Sequence, residues 1–212
     1  MEIQIILRIF VKITKMKKLI IGILLVLFFT NCSSQEFRDG DIIFHTSKSS
    51  QSRMLQIATN SNITHVGVIF FKSGKPYVFE AVNPVKVTPL QEFINRGVGS
   101  KYSVKRTKTP ISSSELKIML EYGKRQIGKP YDLKFEWSDS KIYCSELVWK
   151  IYHHSGISLC DIKIFSDFNL NRPIVKEAIQ SRYHGRFNIN EPVVAPIDLY
   201  NSNKLKTVYS NL

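Results

Sequence analysis

The chain has 212 residues, 43% of them hydrophobic, and a formal net charge of +13. That length fits one ordinary domain once a leader is set aside, and the apolar content supports a real core, which excludes a disordered chain. The positive charge is dispersed and no DNA- or RNA-binding motif is recognisable, so nucleic-acid binding is the weaker reading of it.

The leader comes first. Met16-Lys17-Lys18 precedes an apolar run over residues 19–29. A short positive region followed by such a run reads as a signal peptide, and the run is too short for a transmembrane span. Residues 1–31 are therefore expected to be a signal peptide, with translation starting at Met16. The run ends at Thr30-Asn31-Cys32-Ser33-Ser34, which resembles a bacterial lipoprotein lipobox, although Asn31 and Phe29 depart from its usual residues. The resemblance implies cleavage before Cys32, lipidation of its thiol and attachment to a membrane. The alternatives are a secreted or periplasmic protein or an uncleaved N-terminal anchor; all place the protein outside the cytoplasm, and the lipobox reading places it in the cell envelope.

Residues 32–212 retain a charge of +9, and residues 101–108 hold four basic side chains, Lys101, Lys105, Arg106 and Lys108. Such a run suits an anionic membrane surface or an anionic envelope polymer.

Residues 32–39 read as a tether, and one domain is expected over 40–212. A strand is predicted over 40–44, opened by a turn at Asp39-Gly40, and a short helix over 54–59. Met54, Leu55 and Ile57 read as plain core rather than as an acyl-sized groove. Residues 64–71, Thr-His-Val-Gly-Val-Ile-Phe-Phe, give the strongest strand signal, and 77–82 form the return strand. With Ser73-Gly74 as a two-residue turn, Lys72 faces Lys75. Glu80 then lies opposite Gly67 and His65 opposite Val82. His65 and Glu80 become diagonal neighbours on one face, with Gly67 leaving room between strands. A slip of one residue would put them on opposite faces.

A short helix is predicted over 88–95, beginning near Pro89, and a strand over 101–106. Ser112-Ser113-Ser114-Glu115 is a capping-box signal. It opens a helix with Leu116, Met119, Leu120 and Ile127 on one side, ending at Gly128 and Pro130. An aromatic loop containing Tyr131-Asp132 and residues 135–137 leads into Tyr143-Cys144-Ser145-Glu146. Beyond it, Leu147, Val148, Ile151 and Tyr152 recur at helical spacing until Gly156. Cys144 is thus placed at a helix N-terminus, where free N–H groups and the helix dipole favour a thiolate and could hold an oxyanion. The plainer reading is a buried, inert cysteine. After Gly156 the pattern is less regular. Residues 193–197 read as an edge strand or turn because of Pro196, and the last residues as a final short strand.

Cys160 reads as a core residue, and no pairing with Cys144 is expected. No metal site or cofactor is expected either: His153 and His154 cannot clamp one ion from one helix face, and no CxxC is present.

Thiol acyl transfer needs a thiolate, an imidazole within reach, and a group to hold the imidazole. Of the five histidines, His153 and His154 follow Cys144 on its own helix, roughly 14 Å along the axis. His184 sits in a poor strand context. His45 follows a good strand but lacks a carboxylate on a neighbouring one. His65 has the strand, the small neighbour and Glu80.

Four segments now stand in order: Thr64-His65-Val66-Gly67-Val68, the strand carrying Glu80, Gly128-Lys129-Pro130-Tyr131-Asp132, and Tyr143-Cys144-Ser145-Glu146-Leu147-Val148. Together they resemble the YiiX/YaeF-type permuted papain-fold amidases, relatives of the NlpC-type cell-wall peptidases and of lecithin:retinol acyltransferase-like enzymes. The resemblance implies an α+β, circularly permuted papain-like fold: an antiparallel sheet or small barrel packed on a helix that carries the cysteine. It also implies Cys144 as nucleophile, His65 as general base and then acid, and Glu80 as its orienting residue. Tyr131, Asp132 and Tyr143 fall in its motifs as candidate substrate contacts, with packing an equal reading for them. Glu146 has no assigned chemistry and suits the dipole of the first turn.

The expected activity is that of an envelope thiol hydrolase acting on an amide bond, in cell-wall peptides or acylated amines. Its partners are an amide- or ester-containing envelope substrate and, through an N-terminal lipid, the membrane, with no nucleic acid. A lipid acyl hydrolase or acyltransferase is a variant of the same chemistry. A non-catalytic envelope binding protein is the rival class, against which the retained Cys, His and Glu argue.

Overall fold

In the computed structural model, which describes residues 36–212, six strands form one antiparallel sheet. They are β1 (Ile42–His45), β2 (His65–Lys72), β3 (Lys75–Glu80), β4 (Lys86–Pro89), β5 (Ser103–Thr107) and β8 (Leu205–Ser210), in the order β4-β3-β2-β1-β5-β8. A separate two-stranded pair joins β6 (Lys163–Ile164) to β7 (Pro192–Val193). The helices are α1 (Ser52–Thr59), α2 (Leu90–Asn95), α3 (Ser113–Gln126), α4 (Cys144–His154), α5 (Pro173–Tyr183) and α6 (Pro196–Tyr200). Phe37–Leu212 form one compact unit. The leader, the start at Met16 and Cys32 lie outside the described residues.

The β2–β3 register is the one predicted. Lys72 pairs with Lys75 and Val68 with Phe79, across a turn in which Ser73 has φ 49° and Gly74 φ 73°. Two successive positive φ values match the right-handed twist of the strands, and Ser73 accepts the left-handed region to keep that register. Alternation then gives the sheet two apolar faces. On one, Phe44, Val66, Val68 and Phe79 join Leu147, Val148 and Ile151 of α4 and Met119 of α3 in the larger core. On the other, Ile43, Ile69 and Val78 pack with Phe93 and Ile94 of α2. Gly67 lies on this second face. A Cβ there would sit 2.4 Å from Val78 Cγ1 and 2.8 Å from the Phe79 carbonyl oxygen.

The Ser112 capping box forms: the Ser112 side chain accepts from the Glu115 N–H and the Ser112 N–H donates to the Glu115 carboxylate at 2.6 Å. Several expectations need correction. Ile127 is not on the buried side of α3 but beyond its end, 48% exposed, because Gln126 is the last helical residue. The helix expected from Thr88 begins at Leu90, since residues 86–89 pair with β3 as an edge strand. Pro196 starts helix α6 rather than making an edge strand or turn; a proline at the first helical position loses no hydrogen bond. The irregular region after Gly156 contains α5, opened by Pro173. Its signal was weak because only Val175 and Tyr183 are buried. His184 follows it as a left-handed cap.

The basic run is partly committed within the fold. Lys105 Nζ donates to the Tyr200 carbonyl, and Arg106 Nε meets Asp41 Oδ1 at 2.7 Å.

Candidate active site

Helix α4 places its first residue, Cys144, at the end of the sheet where β2 begins. The helix is anchored by burial of Cys144 through Tyr152. Its start is fixed twice. The Tyr143 N–H donates to Glu146 Oε2 at 3.3 Å, and the Ser145 hydroxyl donates to the Val194 carbonyl at 2.7 Å. Glu146 is fully buried and pairs with Lys150 Nζ at 2.8 Å one turn along; Lys150 also reaches Asp139 Oδ1 at 2.9 Å. Burial pushes the Glu146 carboxyl up to about 7 against the pull of Lys150. Glu146 therefore acts on the position of the helix start and not only on its dipole.

The Cys144 thiol is 2% exposed, and the His65 and Tyr131 side chains stand close enough to act on its charge. His65 Nε2 lies 2.8 Å from Glu80 Oε2. With Nε2 committed to the carboxylate, Nδ1 is the ring nitrogen left for the sulfur. Glu80 is held in turn by the Thr88 hydroxyl at 2.5 Å and by the Arg96 guanidinium. Phe93 stacks on the His65 ring at 5.4 Å and 25°. The three side chains singled out from sequence thus form one continuous chain, sulfur to imidazole to carboxylate.

The charges follow from that chain. Burial works against a charged His65, but its bonds to Cys144 and Glu80 outweigh it and raise the imidazole to about 9. Burial likewise opposes a thiolate, yet His65, Tyr131 and the Ser145 N–H bring the Cys144 thiol below its ordinary value. Glu80 is driven down to about 2, burial being overcome by His65, Thr88 and Arg96. These directions all favour the thiolate–imidazolium form of the pair, backed by a carboxylate. Cys160, by contrast, is a free thiol raised to about 12 by burial and by Asp198 and Asp161. It packs against the edge of the larger core.

The other candidates separate cleanly. Tyr131 touches the sulfur. Asp132 is buried, and its carboxylate accepts from the backbone N–H of Lys134 at 2.9 Å and of Glu136 at 2.8 Å, which shapes the aromatic loop. Tyr143 is buried, and its hydroxyl accepts from the Val194 N–H at 3.1 Å. His45 faces His65 across β1 and β2, with ring centroids 5.2 Å apart. It is 1% exposed, neither ring nitrogen has a hydrogen-bond partner among the described residues, and burial followed by repulsion from His65 lowers it to about 3. It is a neutral wall against His65 and not a rival base. His153 stacks on Trp149 and His154 on Tyr122, both far along α4. Sequence reasoning missed Thr88 and Arg96, the two supports of Glu80. Thr88 had been placed in a helix, and Arg96 carries no local signal.

Two cavities lie at the site, one against Cys144 and one against His65. The first is apolar and narrow, about 70 Å³, and is walled by Cys144 together with Met54, Leu55, Phe165, Val175 and Ile179. Met54 and Leu55 are therefore groove residues, contrary to the plain-core reading. The other is more polar and roomier, about 530 Å³, and is bordered by His45, Lys48, His65, Arg96 and Tyr131.

The family described as permuted papain-like amidase enzyme, YaeF/YiiX, C92 family, matches residues 36–209. Over 170 residues the chain is 41% identical to the uncharacterized protein YiiX of Escherichia coli strain K12, covering 80% of this chain and 84% of that one. A solved structure titled metalloprotein yiiX from Escherichia coli O157:H7 superposes with a TM-score of 0.79 at 40% identity, covering 82% of this chain and 97% of that one. Its title speaks of a metal. Among the described residues here, no three His, Cys, Asp or Glu side chains gather to hold one, and His65 Nε2 is taken by Glu80.

Proposed function

The chain belongs to the permuted papain-like amidase family, and from that premise we propose that it is a cell-envelope thiol hydrolase cleaving an amide bond through Cys144, His65 and Glu80. The observation that supports this reading is the 2.8 Å bond from His65 to Glu80 on an imidazole close enough to the Cys144 thiol to lower its pKa.

In the first half-reaction the Cys144 thiolate attacks the carbonyl carbon. A carbon–sulfur bond forms and an electron pair moves onto oxygen. The backbone N–H of Cys144, at the first position of α4 where helical N–H groups lack acceptors, holds that oxyanion with a neighbouring donor. Collapse breaks the carbon–nitrogen bond, and the proton on His65 Nδ1 goes to the departing amine. In the second half, water attacks the thioester, His65 accepts its proton, and the acid leaves. Glu80 keeps the imidazole oriented throughout and stabilises its positive form.

The envelope assignment and membrane attachment through a lipid on Cys32 rest on the leader pattern of residues 16–34. Labelled-lipid incorporation into wild type, and its loss in Cys32→Ser, tests that part. For the chemistry, Cys144→Ala should fold normally and lose amide hydrolysis. Unchanged hydrolysis by that variant would remove the proposal.

A further inference from the structure

The second face of the sheet changes character from one end of the strand order to the other. Over β2 and β3 it is covered by α2, with Phe93 and Ile94 packed on Ile69 and Val78. Over β5 and β8 the cover is Phe37, Tyr102, Val208 and Tyr209, all only partly buried. The Tyr102 ring meets Phe37 edge-on at 6.5 Å between centroids and Tyr209 at 4.7 Å. Along the same face the strand register gathers cations. Val104 lies on it, so Arg106 does too, and Lys206 pairs with Arg106. Two residues further on, Lys108 stands opposite Lys204, and the Lys108 N–H donates to the Lys204 carbonyl at 2.8 Å. Arg106 is balanced by Asp41. Lys108, Lys204 and Lys206 are exposed and form no ion pair among the described residues.

Like charges set opposite one another across two strands repel, and that repulsion costs stability until an anion neutralises it. Exposed lysines next to partly exposed tyrosines and a phenylalanine suit the surface of an anionic bilayer. There the ammonium groups meet phosphate, and the tyrosine rings sit at headgroup level between water and hydrocarbon. The start of the domain selects the same face. Phe37 follows Cys32 by five positions, at most about 17 Å of fully extended chain. A lipid on Cys32 therefore keeps the bilayer within that reach of the contact between Phe37 and Tyr102. A water-soluble anionic polymer would match the lysines, but it offers the aromatic rings no apolar partner.

We infer that this face, the aromatic patch with Lys108, Lys204 and Lys206, docks the domain on the surface of an anionic phospholipid bilayer. The lipid supplies attachment and the face supplies orientation. This rests on the lipidated Cys32 of the proposed function and names the surface that meets the membrane.

The test is a lysine footprint. The complete protein, made in bacterial cells, is placed with vesicles of phosphatidylcholine alone or of an equal mixture with phosphatidylglycerol. It is then acetylated with a water-soluble N-hydroxysuccinimide ester, and the rate at each lysine is read by peptide mass mapping. Each basic side chain at an anionic surface is worth about fivefold in binding. Lys108, Lys204 and Lys206 should therefore react at least about fivefold more slowly on the mixed vesicles than on phosphatidylcholine. Lys117 on α3 and Lys176 on α5, both exposed, should keep their rates. High salt should abolish the difference. Lys206→Glu, at an exposed position, should remove the protection of Lys108 and Lys204. Intact mass of the same sample reports whether Cys32 carries lipid. In lipidated protein, equal rates on the two vesicles, or slowing shared by Lys117 and Lys176, overturn the docking face and leave the anchor standing. A footprint on protein without lipid supports the face and overturns the anchor. Protein without lipid and without a footprint overturns both. Protection by soluble polyglycerol phosphate but not by vesicles overturns membrane docking and gives the face to an anionic polymer.

Discussion

His65 and Glu80 meet diagonally across β2 and β3, Nε2 to Oε2 at 2.8 Å, on strands whose register is set by a two-residue turn at Ser73-Gly74. The imidazole is thereby fixed by the sheet, and its free nitrogen is aimed at a sulfur delivered from a helix that begins 79 positions later in the chain. Orientation of the base is a property of strand pairing, so it depends on residues that touch neither substrate nor sulfur.

Glu80→Gln keeps the shape of the side chain and removes its charge. Because Glu80 helps to raise His65 to about 9, its loss lowers the imidazole pKa. The alkaline limb of the kcat/KM profile, set by loss of the imidazolium proton, should then move to lower pH, and the plateau should fall by at least about tenfold. A pH–rate profile of both proteins checks this.

Arg96→Ala removes one of the two supports of the Glu80 carboxylate without touching His65 or Cys144. Thr88 still holds the Glu80 carboxylate in that variant. The expected signature is a lower kcat, because the carboxylate that orients His65 loses one of its two supports. A change confined to KM would assign Arg96 to the substrate instead.

The same pair makes stability depend on pH. Glu80 falls from 4.5 to about 2 on folding, so its contribution is complete above about 4.5 and disappears as pH falls through about 2. His65 rises from 6.5 to about 9, so its contribution is complete below about 6.5 and disappears as pH climbs through about 9. Wild type should therefore gain most over His65→Gln between about pH 4.5 and 6.5, and the difference should shrink on both sides. Urea midpoints measured across pH 3–10 for the two proteins test the sign of each arm.

Gly67→Ala forces a methyl group to within 2.4 Å of Val78 Cγ1 and 2.8 Å of the Phe79 carbonyl oxygen. The side chain can yield; the backbone carbonyl, part of β3, cannot do so without moving Glu80. The substitution should cost about 1–3 kcal/mol in chemical denaturation. Activity should fall in the protein that remains folded.

How much of this was legible in the sequence depended on the range of each interaction. The β2–β3 hairpin spans a few residues and announces itself by alternation around Ser73-Gly74, so the His65–Glu80 geometry could be read in advance. The Ser112 capping box and the start of α4 at Cys144 are equally local. Thr88 and Arg96 are different. Thr88 belongs to a strand whose only buried side chain is its own, leaving no alternation to detect. Arg96 reaches Glu80 only after α2 folds over the second face of the sheet. Helix α5 was hidden for a related reason: it shields a cavity rather than the core, so its apolar residues are divided between that cavity and solvent. Met54 and Leu55 looked like core because a groove wall and a core face use the same side chains.

The account turns on Cys144 resting as a thiolate beside a protonated His65. Alkylation by iodoacetamide from pH 4 to 10, with the modified cysteine located by intact mass and peptide mapping, reads this directly, and Cys160 serves as the internal comparison. The account predicts rapid modification of Cys144 well below the pH at which an ordinary thiol reacts, slowed in His65→Gln, with Cys160 nearly inert throughout. Cys144 reacting only at alkaline pH, unaffected by loss of His65 and no faster than Cys160, would contradict it.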